Sequence, residues 1–485
     1  MTHQEQGTAA PPGAPVATMP AVPPQAPPPG PQGRPGVPDA APPRRTAWAE
    51  GVDRLRAAAT TEPGRLRVIG AVLAVLVVTF GAVTAWEMAD RSAAADDVLH
   101  SSQPLSADAA DIYRSLADAN TAASSGFLAG GQETAESRKR YEDDISLAAD
   151  KLVTAASNSE PGSTSEKTIT KLNKMLPEYK GLVERARANN RQGYPLGGAY
   201  LRYANSKMQV MLEDAERLYT VENQQLRSDY DDATPYPWIA IGAGVLAIGG
   251  LVWAQRRNYR RTNRVLNHGL ATGTAAATVV LLWLVVGHSV ARAGLDESYE
   301  HGVRSLNTLN DARIASLKAR GNENLTLVAR GAETTDVGTG ADKRTVDTFD
   351  HAFEQQMKDL TTKLAAAEDL ADDSAGVKPV ETATGSMKVW KQRHSEAREQ
   401  DTLGNYQGAL DRIIGSKADK PTGECFDSVD TNLAAALKHE RAEFEQAAGD
   451  GLGAMNGLVV GAAVLAVLAA AGAVLGIGRR LSEYR

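Results

Sequence analysis

The chain has 485 residues, with 52 Lys and Arg against 59 Asp and Glu and a formal net charge of -7. So balanced a composition gives no polycation for nucleic acid, and one cysteine, Cys425, excludes an intrachain disulfide, a CxxC redox pair and a cysteine-based zinc site. Aromatics are 5% and alanine is abundant throughout, which favours helices over sheets.

Residues 1–45 are too rich in Pro and Gly to fold and read as a disordered cytoplasmic tail of polyproline II character. Over 46–67, Trp48, Val52, Leu55 and Ala59 recur at helical spacing beside Arg54 and Arg56, an amphipathic juxtamembrane helix. Four runs without an ionisable side chain then stand out: Val68 to Trp86, Pro237 to Ala254, Leu270 to Gly287 and Gly457 to Gly478. Each is long enough to cross ~30 Å of hydrocarbon at 1.5 Å per residue. They predict transmembrane helices at 68–87, 237–254, 270–287 and 457–478. A signal peptide is excluded for the first run by the length of chain before it and by Glu87 and Asp90 after it.

Arginine clusters flank the spans: Arg54, Arg56, Arg65 and Arg67, then Arg256, Arg257, Arg260, Arg261 and Arg264 in "RRNYRRTNR", then Arg479, Arg480 and Arg485. By the excess of basic residues on the inner side, both termini, the loop 255–269 and the tail 479–485 are cytoplasmic, while 88–236 and 288–456 are extracytoplasmic. The loop arginines anchor the topology, meet anionic lipid headgroups, and are candidate contacts for an acidic cytoplasmic partner.

Both outer segments are helical by period. Leu105, Ala109, Ile112, Leu116, Ala119 and Ala123 form one seam, Met208, Met211, Ala215 and Leu218 a second, and Phe353, Met357, Leu360 and Leu364 a third. Such seams predict an elongated antiparallel bundle in each segment. Three weak matches in the same order, "SLADANTAAS" with "TLNDARIASL", "YEDDISLAADKL" with "FEQQMKDLTTKL", and "ERARANNRQGYPLGGA" with "SEAREQDTLGNYQGA", predict a duplicated span, bundle and span. "SNSEPGSTSE" and "ETTDVGTGAD" read as hairpin connections. In "NNRQGYPLGGAY", Arg191, Gly193, Tyr194 and Tyr200 form a candidate extracytoplasmic docking loop.

No nucleophile, metalloprotease, nucleotide or kinase motif is present, so no enzymatic activity, cofactor or metal is expected. "YEDD" at 141–144 reads as a solvated helix face. His301, His351, His394 and His439 read as exposed, and Cys425 as a free thiol in a helical loop. No charge lies within a span, against an ion-coupled transporter. The fold class is all-α: a polytopic membrane protein with four transmembrane helices and two extracytoplasmic antiparallel helical bundles.

The four spans, the two helical outer segments, the Pro-rich tail, and the elements "YKGLVERARANNRQGYPLGGAYLR" and "WKQRHSEAREQDTLGNYQGAL" resemble the actinobacterial GlnX family over roughly 68–480. The resemblance implies a non-enzymatic relay. An extracytoplasmic solute-binding lipoprotein of the glutamine, glutamate or aspartate type signals through the membrane protein to a cytosolic Ser/Thr kinase. Two other readings stay open: a direct chemoreceptor with four-helix-bundle ectodomains, and a structural envelope-assembly protein. A homodimer stays open as the oligomeric state.

Overall fold

The computed structural model describes residues 62–130, 133–262, 267–415, 421–455 and 457–482. The expected disordered tail, residues 46–61 of the juxtamembrane helix, Arg264 and Arg485 lie outside the described residues. Helix α1 (Glu62–Asp97) carries the first apolar run and passes through a π-helical turn, Val98–Ser102, into α2 (Gln103–Leu128). Helices α3 (Ala135–Asn158), α4 (Thr164–Arg191) and α5 (Leu196–Ala233) complete a first bundle, and α6 (Trp238–Thr262) carries the second run. The second half repeats the order: α7 (His268–Glu297), a π-helical turn Ser298–Val303, α8 (Arg304–Ala329), α9 (Thr348–Leu370) and α10 (Ser374–Thr402). The short α11 (Tyr406–Ile414), then α12 (Thr422–Met455) and α13 (Leu458–Ser482), end the described chain.

Side-chain caps fix where the bundle helices begin. Thr134, Ser163, Asp347, Asp373 and Asn405 each accept hydrogen bonds from backbone N–H groups of the first turn that follows. Of the two predicted hairpin connections, the second is a β-hairpin: β1 (Thr334–Val337) pairs antiparallel with β2 (Arg344–Asp347). The predicted seams are buried throughout, from Leu105 to Ala123 on α2, Met208 to Leu218 on α5, and Phe353 to Leu364 on α9.

Four helices are long and apolar enough to cross a membrane, within the stretches Gly64–Leu128, Leu196–Arg260, His268–Ala329 and Thr422–Arg479. Val75, Leu246, Val286 and Leu475 stay exposed on them, an apolar surface that suits lipid and not water. The chain is a multi-pass, all-α membrane protein. Where the spans meet, small residues bring backbones together: a Cβ at Gly273 of α7 would lie 3.0 Å from the Ala469 carbonyl oxygen of α13.

Three expectations change. The two bundles are not separate, because one apolar core runs from Leu105 and Tyr179 of the first into Trp390 and Leu433 of the second. The arginine segment is mostly helix: α6 continues through Thr262, and α7 starts at His268. The first of the three repeat matches lies roughly two helical turns out of step with the ends of α2 and α8, which are of equal length.

Candidate functional site

Two π-helical turns mark the junction between bundles and spans. A π turn widens the helix by bonding each N–H to the carbonyl five residues back, and such turns gather at functional positions. In the first, the Ser102 hydroxyl donates to the Asp97 carbonyl at 3.3 Å, holding the widened turn. In the second, Gly302 lies so close to α12 that a Cβ there would fall 2.9 Å from the Phe444 Cβ. The second turn is also gripped by the other half of the chain. Tyr230 of α5 shares a 2.7 Å hydrogen bond with Ser298, and its ring meets Tyr299 edge-on at 5.1 Å.

The returning helices are joined differently. Between α5 and α6 the chain breaks at Thr234–Pro237, clamped by Arg91 of α1, which donates to the Pro235 carbonyl at 2.8 Å and to the Glu87 carbonyl at 2.9 Å. The Glu87 carboxylate accepts from the Ala240 N–H at 2.8 Å, an anion at the N-terminus of α6. Before α13 the break includes Gly457 at φ 77°, a conformation that favours glycine.

The halves meet along α2 and α8. Asn324 Nδ2 donates to Ser124 at 3.1 Å and Ser125 at 2.8 Å; Lys318 pairs with Glu216 at 3.3 Å, and Arg140 with Asp427 at 2.9 Å. Beside this interface lies a buried ionic cluster that the sequence reading missed. Glu323, fully buried, accepts from Arg320 at 2.5 Å and from the Trp390 indole at 3.1 Å, and it bonds His394 Nδ1 at 3.0 Å. The other His394 nitrogen bonds Asp350 at 3.0 Å. Burial pushes His394 down, but its hydrogen bonds to Asp350 and Glu323 outweigh that and hold it above the usual histidine range. Burial pushes Glu323 up, and the Arg320 charge with His394 brings it below the usual carboxylate range.

His394 is therefore not exposed as expected. It lies on the buried seam Ala383, Met387, Trp390, His394 and Ala397 of α10, and Glu323 falls on the stripe Leu309, Ala312, Ser316 and Ala319 of α8. A charged residue at a seam position was the available signal. Asp144 corrects the reading of "YEDD" in the same way. Its carboxyl is buried, and burial together with the neighbouring Asp118 carboxylate pushes it up to about 8. Cys425 is buried in the first turns of α12, with the Arg393 guanidinium 3.2 Å from its sulfur, so it is not in a loop.

The predicted contact residues divide. Arg256, Arg257 and Arg260 occupy the last turns of α6, with the Arg257 guanidinium 5.4 Å from the Trp253 ring. Arg261 lies on the same helix end. Arg191 closes α4, Gly193 sits at φ 73° in the turn that follows, and Tyr194 is 56% exposed. Tyr200 is half-buried on α5 and separate from that turn. Asp373, His439 and Glu443 place ligand atoms within 4.8 Å of one another, but the Asp373 oxygen already caps α10 through two backbone N–H groups.

Comparison with known proteins bears on the first bundle. Neither curated proteins nor solved structures gave a match. Residues 94–231 match the family model described as an actinobacterial sensor domain. That match runs from just before the first π turn almost to the end of α5, so the first bundle is similar to a sensor domain carried by a multi-pass membrane protein.

Proposed function

We propose that the protein is a non-enzymatic transmembrane signal relay at the cell membrane. One observation carries the reading: the stretch similar to a sensor domain is joined to a span by unbroken helix through a π turn. Such a helix passes small shifts, typically about 1 to 2 Å, from a bundle into a membrane. In this reading the bundles at 88–236 and 288–456 are extracytoplasmic and arose by duplication, and the termini with the 255–269 segment are cytoplasmic. The basic end of α6, with four arginines from Arg256 to Arg261, supports that orientation.

The finer role is that of the family the sequence resembles. A solute-binding lipoprotein reports glutamate, aspartate or glutamine status to the bundles, where the exposed Tyr194 turn offers a docking surface. A cytosolic Ser/Thr kinase reads the inner face, where Arg256, Arg257 and Arg260 offer positive charge. The test is affinity purification of the full chain from membranes, with and without these amino acids. A lipoprotein or a Ser/Thr kinase that co-purifies supports the relay, and recovery of neither under both conditions sinks it.

A further inference from the structure

The two halves also meet over an open cleft of about 440 Å3, close to the second π turn. Its lining includes Arg227, Tyr299, Arg304, Asn307, Thr308 and Asp369. The size lies in the range of small-molecule sites, about 300–1,000 Å3. Its charged groups come from both halves of the chain. Two guanidiniums come from different halves: Arg227 from α5, 6.0 Å from the Tyr299 ring centroid, and Arg304 from the first residue of α8. Arg304 pairs with Glu300 one turn back, but both side chains are 52% exposed, so a ligand carboxylate competes with that pair at little cost.

The last turn of α9 supplies the opposite sign. Carbonyls at a helix C-terminus lack intrahelical partners and carry negative partial charge, and Asp369 adds a carboxylate there. Asn307 accepts from the Tyr219 hydroxyl at 3.0 Å, which leaves its amide hydrogens to donate. Thr308 donates to the Arg304 carbonyl at 2.9 Å, which leaves its oxygen to accept.

We propose that this cleft binds a small zwitterion, a free molecule carrying both a carboxylate and a protonated amine. Arg227 and Arg304 take the carboxylate, as guanidiniums do in a bidentate geometry. Asp369 and the end of α9 take the ammonium, and Tyr299 offers its ring to the aliphatic part. A lipid headgroup is the less fitting source. Tyr299 lies a dozen residues beyond Gly287, about 18 Å of helix at 1.5 Å per residue, and that is farther than headgroups reach. A bound molecule ties α5 of the first half to α8 and α9 of the second across the π turn, so occupancy acts directly on the helix that leads into the third span. This inference rests on the sensing role proposed above but needs no carrier protein.

The experiment is calorimetric titration of the full chain, in nanodiscs of phosphatidylcholine, with the common L-amino acids each alone. At least one is expected to bind saturably. Arg227→Gln and Arg304→Gln are each expected to weaken it about tenfold or more, while both variants, changed at exposed positions, keep the parent melting temperature. Asp369→Asn should weaken that amino acid but leave its N-acetyl derivative unaffected. No binding by any of them, or binding that either arginine variant leaves unchanged, overturns the cleft. If Asp369→Asn and N-acetylation both cost nothing, the site takes a bare carboxylate and the zwitterion assignment is overturned. A silent titration beside a co-purifying lipoprotein or kinase removes the cleft and leaves the relay standing. Binding with no such partner removes the relay and keeps the cleft.

Discussion

The first bundle holds a buried neutral amide network, in which Asn120 donates to Asn205 at 3.0 Å and accepts from Tyr179 at 3.3 Å, while its buried charges pair separately, Arg187 with Glu133 and Asp214 with Lys171. The second holds a buried ionic network, with Arg320, Glu323 and His394 all at most 5% exposed and Asp350 at the edge. The helix order is similar apart from α11 and the β-hairpin, yet these two networks differ in what removing one member does. A neutral amide network loses hydrogen bonds, whereas a buried ionic cluster leaves charges without partners. In the second bundle α8, α9 and α10 are thus tied through one imidazole.

The largest effect expected is on that contrast itself. Glu323→Ala leaves Arg320, His394 and the Trp390 N–H without their carboxylate and should cost about 3–5 kcal/mol, against about 1–3 kcal/mol for Asn120→Ala. Denaturant unfolding of the two full-length variants in the same detergent measures both. Equal losses would erase the distinction between the halves.

A smaller effect sharpens it by pH. Because His394 is held above its ordinary value of about 6.5, its contribution is fully present below that value and fades as pH rises through the raised one. Thermal unfolding across that window should slope downward in the parent and flatten in His394→Gln. A slope unchanged by the substitution would show that another group sets it.

A third effect belongs to the first bundle. With the Asp144 carboxyl pushed up to about 8, stability falls as pH rises from the ordinary carboxylate range through about 8. Asp144→Asn removes the charge that burial opposes. It should raise stability above pH 8 and change it little near pH 4, read from melting temperatures at both pH values.

Much of this architecture is legible in the sequence because it is written in period and length. The seams of α2, α5 and α9 follow helical spacing, and the spans are long uncharged runs that admit few other readings. The candidate sites are not legible in that way. Whether His394 faces water or Glu323 depends on how α8 and α10 are rotated about their axes, which no local pattern states. The cleft is less legible still, since Arg227 and Asp369 come from opposite halves. The π turns have no signature in "VLHSS" or "SYEHGV" that separates them from ordinary helix.

The contrast between unbroken and interrupted joints has a mechanical consequence. Spans one and three leave the bundles as stiff shafts, with a π turn as the only change of pitch, so torque applied in the bundles arrives in the bilayer. Spans two and four instead follow breaks in the helix, at Thr234–Pro237, where Arg91 of α1 holds the chain, and at Gly457. The third shaft lies against span four at near backbone contact, through Gly273 and Ala469, so a turn of that shaft bears directly on the neighbouring backbone.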